Sequence, residues 1–82
     1  MQSWTTGEPQ MIRRVNRALI LRLIRAQGPI SRTSLVRVTQ LAPRTVFTIV
    51  EELVGRGLVT ASGTERTRVG RHPLLYEFNS AA

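Results

Sequence analysis

Apolar residues recur along this chain in two rhythms, and the change of rhythm divides it. Between Pro9 and Gln27 the period is helical: Ile12, Val15, Leu19, Leu23 and Ala26 follow one another at spacings of three and four and form one stripe. Ile20, Leu21 and Ile24 widen it, which predicts a helix packed on two sides, while Arg13, Arg14, Arg17, Arg22 and Arg25 fill much of the remainder. Gly28-Pro29 stops the helix, because glycine accepts a left-handed cap and proline cannot continue the hydrogen-bond ladder. Ser31 is then an N-cap candidate, with Ile30 before it and Leu35 at the fourth helical position set to form a hydrophobic staple. The short helix over 32–39 buries Leu35 and Val36 in this reading, with Val38 at the edge of the same face.

Gln40-Leu41-Ala42 leaves room only for a tight turn, and the staple then recurs. Leu41 precedes the cap position, Pro43 takes the first helical position, where its missing donor is no loss, and Val46 takes the fourth. The third helix runs from Pro43 to about Val54, with Val46, Ile49, Val50 and Leu53 inward, and Gly55-Arg56-Gly57 ends it. Beyond that the period changes. Residues 58–62 and 74–78 read as strands, joined by a polar loop over 63–73 rich in Gly, Thr and Arg. The order predicts a mainly α domain with a small β-hairpin: a winged helix-turn-helix of three helices plus wing. It occupies 9–79, after a flexible polar lead-in over 1–8 that carries Trp4, and before a short tail over 80–82.

Composition narrows the chemistry. At 82 residues there is room for one modest core, and a second domain or a deep substrate cleft is hard to fit. Without cysteine, disulfides and thiolate metal sites are excluded; one histidine, five scattered glutamates and no aspartate predict no metal site, no cofactor and no catalytic constellation. No apolar run approaches a membrane span and the N-terminus is not a signal peptide, so the expectation is a cytoplasmic protein without a membrane partner. The net charge of +7 comes from twelve basic residues, all arginine, and attracts polyanions, nucleic acid before an anionic membrane surface. An all-arginine composition also follows from a G+C-rich genome, so charge alone is weak support.

The helix pair over 30–58 carries the stronger signal, since a helix held across its predecessor by a tight turn offers its outer side to a major groove. That outer side presents Arg44, Thr45, Phe47 and Thr48. Arg44, nearest the N-terminal end, suits the O6 and N7 edge of guanine, and the threonine methyls or Phe47 suit a thymine methyl. The competing reading is an ordinary solvated helix face, and for Phe47 packing on the preceding helix. In the wing, Arg66, Arg68 and Arg71 alternate with small residues, fit to follow the backbone or enter a narrow minor groove, or simply to be solvated. Arg71, at the base of the wing in Gly70-Arg71-His72-Pro73, is the first choice for contact, and His72 reads as a local structural residue. Ser31, Arg32 and Thr33 at the start of the second helix can share a phosphate, although capping alone accounts for Ser31. Glu51 and Glu52 are expected to point away from a duplex or to pair with arginine.

Taken together, the segments 12–17, 21–24 and Gly28-Pro29-Ile30-Ser31-Arg32, then Leu35, Thr39, Leu41, Thr45-Val46, Ile49-Val50, Leu53, Gly57-Leu58-Val59 and Gly70-Arg71 with Pro73, resemble the N-terminal region of ROK-family, xylose-repressor-like transcriptional regulators. The resemblance covers about 12–79. It implies the DNA-binding domain of a sugar-responsive regulator, usually a repressor, with a double-stranded DNA operator as partner. It also implies homodimerisation mainly through a downstream sensor domain absent here, which makes this chain an excised reading head or, as the less favoured alternative, an unusual stand-alone relative. A kinase activity by family association finds no footing, since no Gly-rich phosphate loop and no lysine is present. The alternative function is a winged-helix protein-interaction module that uses the broad apolar first helix. Four positions depart from the family pattern: Gln40 for a turn glycine, Ala42 for a capping serine, Phe47 for a small polar residue and Ser34 for an acidic capping-box residue.

Overall fold

Six elements follow one another in the computed structural model, which describes residues 9–64 and 74–81: α1 (Pro9–Gln27), β1 (Ile30–Ser31), α2 (Arg32–Thr39), α3 (Pro43–Gly55), β2 (Val59–Thr64) and β3 (Leu74–Phe78). The strands form one antiparallel sheet in the order β1-β3-β2, so β3 is central. Val59 pairs with Phe78 and Ala61 with Tyr76, and a bulge between Ala61 and Gly63 shifts the register before Thr64 meets Leu74. Gly63 takes φ +123° there, a backbone that side chains resist. The expected hairpin thus gains a third strand. Ile30 and Ser31, the staple and cap residues, are also extended beside Tyr76 and Leu75. Two residues are too few to show an alternation, which is why no strand signal marks them.

One apolar core holds the layers together. Ile20 and Ile24 of α1, Leu35 of α2, Val46, Ile49, Val50 and Leu53 of α3, and Ile30, Val59 and Tyr76 of the sheet are all buried. The inward face expected of α3 is therefore the observed one. On α1 the outcome is split: Ile20 and Ile24 are buried and Leu21 and Leu23 pack against the core, while Ile12, Val15 and Leu19 are 46%, 57% and 37% exposed. The packed side of α1 runs instead through Asn16, Arg17, Ile20 and Ile24. Its upper turns are polar because the Arg17 guanidinium reaches Glu52 of α3 at 2.9 Å, so the more apolar stripe is not the buried one. Val38, at 49% exposure, also lies outside the core.

Local chemistry explains the ends of the helices. Gly28 has no left-handed backbone; its N–H donates to the Ile24 carbonyl at 2.8 Å. What demands glycine is crowding, because a Cβ would stand 2.5 Å from that carbonyl oxygen and 3.1 Å from the Tyr76 carbonyl of β3. Ser31 caps α2, its hydroxyl accepting the Ser34 N–H at 3.1 Å. Gln40 ends α2 with φ 63°, a left-handed conformation that costs an L residue about 1–2 kcal/mol. Three hydrogen bonds offset it: Gln40 N–H to the Val36 carbonyl, Gln40 Nε2 to the Arg37 carbonyl, and Leu41 N–H to Thr39 Oγ1. Ala42 supplies no capping bond to α3, whose start rests on Pro43 at its first position. At the far end Asn79 ties the helix exit to the sheet, donating from its backbone to the Leu58 carbonyl and from Nδ2 to the Gly57 carbonyl, both at 2.9 Å.

Candidate nucleic-acid interface

The three-residue turn at 40–42 sets α3 against α2, and four inward side chains hold α3 in place, so its opposite side is left to solvent. Arg44, Phe47 and Thr48 are exposed there, and Thr45 is half-buried beside the core. Arg44 stands one residue after the proline that opens the helix, so its side chain projects from the N-terminal turn. Two shallow grooves flank this part of α3, and Arg44 lines both.

The groove between α2 and α3, of about 470 Å³, gathers Arg32, Thr33, Arg44 and Phe47. It thus brings together residues expected to touch backbone and residues expected to touch bases. The Arg32 guanidinium lies over the Phe47 ring, 4.8 Å from its centroid. Phe47 is therefore neither buried against α2 nor alone on a bare face; it is a half-exposed platform carrying a charge from the neighbouring helix. Such a stack is worth about 0.5–1 kcal/mol at an exposed site. Arg32→Ala and Phe47→Ala are accordingly expected to be non-additive in a double-mutant cycle on duplex affinity, the pair losing about two- to fivefold less than the product of the single losses. Strict additivity would show that Phe47 does not position Arg32.

The second groove, of about 340 Å³, runs between α1 and α3 and takes Arg13 and Asn16 of α1 with Arg44, Thr45 and Thr48 of α3. In sequence Arg13 is one of five arginines on the polar part of α1, and nothing in its spacing singles it out. Only the packing of α1 along α3 puts it beside Arg44.

Ser31 is set apart from this surface. It is 5% exposed, and its hydroxyl donates to Ser34 Oγ at 3.2 Å while accepting the Ser34 N–H, so capping occupies it. Arg37 donates to the same Ser34 Oγ at 3.2 Å. Arg66, Arg68, Arg71 and His72 fall outside the described residues, as does Trp4. Glu51 is exposed, and Glu52 accepts from both Arg17 and Arg56 at 2.9 Å, which gathers the described carboxylate–arginine pairs at the C-terminal half of α3. Among the described residues no His, Cys, Asp or Glu cluster could hold a metal ion, and no helix is long and apolar enough to cross a membrane.

Comparison with known proteins extends the picture. Residues 15–63 match the MarR family model. The chain is 33% identical over 73 residues to a putative xylose repressor of Caldicellulosiruptor sp. (strain Rt8B.4), covering 89% of this chain and 18% of that protein. It is 34% identical over 68 residues to the DNA-binding transcriptional dual regulator NagC of Escherichia coli (strain K12), covering 83% of this chain and 17% of NagC. Among solved structures it is similar to a ROK family transcriptional regulator, a homologue of the E. coli MLC protein. There the TM-score is 0.68 at 29% identity, over 83% of this chain and 17% of that one. The chain thus spans less than a fifth of the length of these relatives, and the match lies in their N-terminal region.

Proposed function

This chain belongs to the MarR family, as a winged-helix module of DNA-binding transcriptional regulation, and from that premise we propose that it reads a specific operator with α3. In this reading α3 enters the major groove. Arg44 takes a guanine edge, Thr45, Thr48 and Phe47 make the neighbouring base or methyl contacts, and Arg32 and Thr33 take a phosphate at the groove wall. Arg66, Arg68 and Arg71 follow the backbone or a narrow minor groove from the wing. The chain itself binds and does not catalyse.

The observation that carries the proposal is the gathering of Arg32, Thr33, Arg44 and Phe47 in one groove at the N-terminal end of α3. The acidic residues of the same helix lie at its other end, with Glu52 paired to arginine. Relatives named for xylose repression and for transcriptional dual regulation support a sugar-linked regulator, most simply a cytoplasmic repressor. The sugar sensor and most of the dimer contact belong, in this reading, to protein beyond this chain. An isolated half-site reader binds weakly, because a symmetric dimer doubles the contact.

A second reading has its own observation: Met11, Ile12, Val15 and Leu19 leave an exposed apolar run on α1 fit for a protein partner. Salt separates the two. Sites selected from random duplex DNA by this chain are expected to lose affinity steeply with added salt, log K falling linearly with log salt at about −0.9 per phosphate neutralised. Failure to select any site, or an affinity indifferent to salt, would replace the operator reading with the protein-contact reading.

A further inference from the structure

Charge is sorted along the seam between α1 and α3. At one end Arg17 of α1 meets Glu52 of α3, and Arg56 joins the same carboxylate. One helical turn back along each helix stand Arg13 and Thr48, and beyond them Arg44 and Thr45. Among the described residues the sign at that end is unmixed: neither Arg13 nor Arg44 pairs with a carboxylate, and none of the described side chains lining the groove they share is acidic. Arg13 is exposed, and Asn16 beside it adds a neutral donor and acceptor.

We infer that Arg13, with Asn16, is a DNA-backbone contact, so that α1 grips a phosphate on the side of the recognition helix opposite Arg32 and Thr33. This rests on the operator reading above and deepens it. A helix lodged in the major groove has a phosphate strand on each side. Arg32 and Thr33 stand on one flank of α3, in the groove shared with α2. On the other flank the groove offers Arg13 and Asn16. A guanidinium there is the complement of a phosphate oxygen, and the Arg17–Glu52 pair fixes the helix that carries it. Backbone contacts on both flanks set the depth and register of α3, which is what a base reader at Arg44 requires.

The test compares Arg13→Gln, Arg13→Lys, Arg44→Ala and, as a control of equal charge change, Arg22→Gln, which lies on a different groove of α1 with Ala18, Leu21 and Arg25. Each 82-residue variant is titrated by fluorescence anisotropy against a site selected by the unmodified chain and against a random-sequence duplex, over a range of salt. Arg13→Gln is expected to weaken both duplexes by the same factor and to reduce the salt slope by about one unit, Arg13→Lys to retain the slope, and Arg22→Gln to change neither. If Arg13→Gln behaves as Arg22→Gln does, the contact is absent. A loss confined to the selected site would also overturn it, since that marks a base contact. The operator reading is judged separately, by whether the unmodified chain prefers its selected site and whether Arg44→Ala removes that preference.

Discussion

Arg44→Ala is expected to erase discrimination at one base-pair position of the selected site, by about 1–3 kcal/mol, or roughly fivefold to 150-fold in relative affinity. The size follows from the chemistry of a bidentate arginine–guanine contact, which no other base returns in full. The place follows from geometry, since Arg44 projects from the first turn of α3 and lines the grooves on both of its sides. The readout is the selected-site consensus of the variant set against that of the unmodified chain. One degenerate position within an otherwise preserved consensus is the expected result, with non-specific affinity reduced far less. Arg71→Ala should instead weaken all sequences evenly, as a backbone contact does. Equal losses on every sequence for both variants would move Arg44 from the bases to the phosphates.

The largest effect on stability is expected at Ile20. Ile20→Ala should destabilise the domain by about 2–5 kcal/mol, a large share of the 5–15 kcal/mol that holds an ordinary domain folded. Its side chain has no exposure and lies where α1 meets the rest of the core. Ile12→Ala removes the same atoms from the same helix two turns earlier, where they are 46% exposed, and should change stability by no more than about 0.5 kcal/mol. Urea denaturation of the two variants gives the contrast directly. The apolar spacing of α1 alone does not separate the two, because Ile12 and Ile20 both belong to its broadened apolar face.

That contrast shows where reading the chain succeeds and where it fails. Periodicity places α3 and its buried face correctly, because all the inward residues of that helix are apolar and its neighbours ask nothing else of them. The left-handed turn at Gln40 and the bare cap at Ala42 are legible too, as departures from the residue types that favour such a turn and such a cap. For α1 the rule breaks. Counting apolar residues cannot know that Glu52, distant in sequence, makes Arg17 a packing residue, or that Met11, Ile12, Val15 and Leu19 stay exposed. Gly28 is legible as a stop but not for its reason, which is the closeness of β3.

The candidate interface divides in the same way. Arg44, Thr45, Phe47 and Thr48 could be named from their place on an amphipathic helix behind a tight turn, since the period of 3.6 assigns each a side once the inward face is known. Arg32 and Phe47 could be named singly, but not as a pair, because the stack joins two helices. Arg13 could not be chosen among the arginines of its helix.

The amino-acid sequence by itself determined the local events: where helices begin and end, which side of α3 turns inward, and that a helix-turn-helix with a winged hairpin follows. These depend on backbone sterics, capping and apolar period, all of which act within a few residues. The tertiary structure alone decided which face of α1 is packed, that Ile30 and Ser31 complete a three-stranded sheet, and that arginines from three helices meet at one end of α3. Those outcomes turn on contacts between residues far apart in the chain, where an ion pair or a close backbone approach outweighs the local pattern.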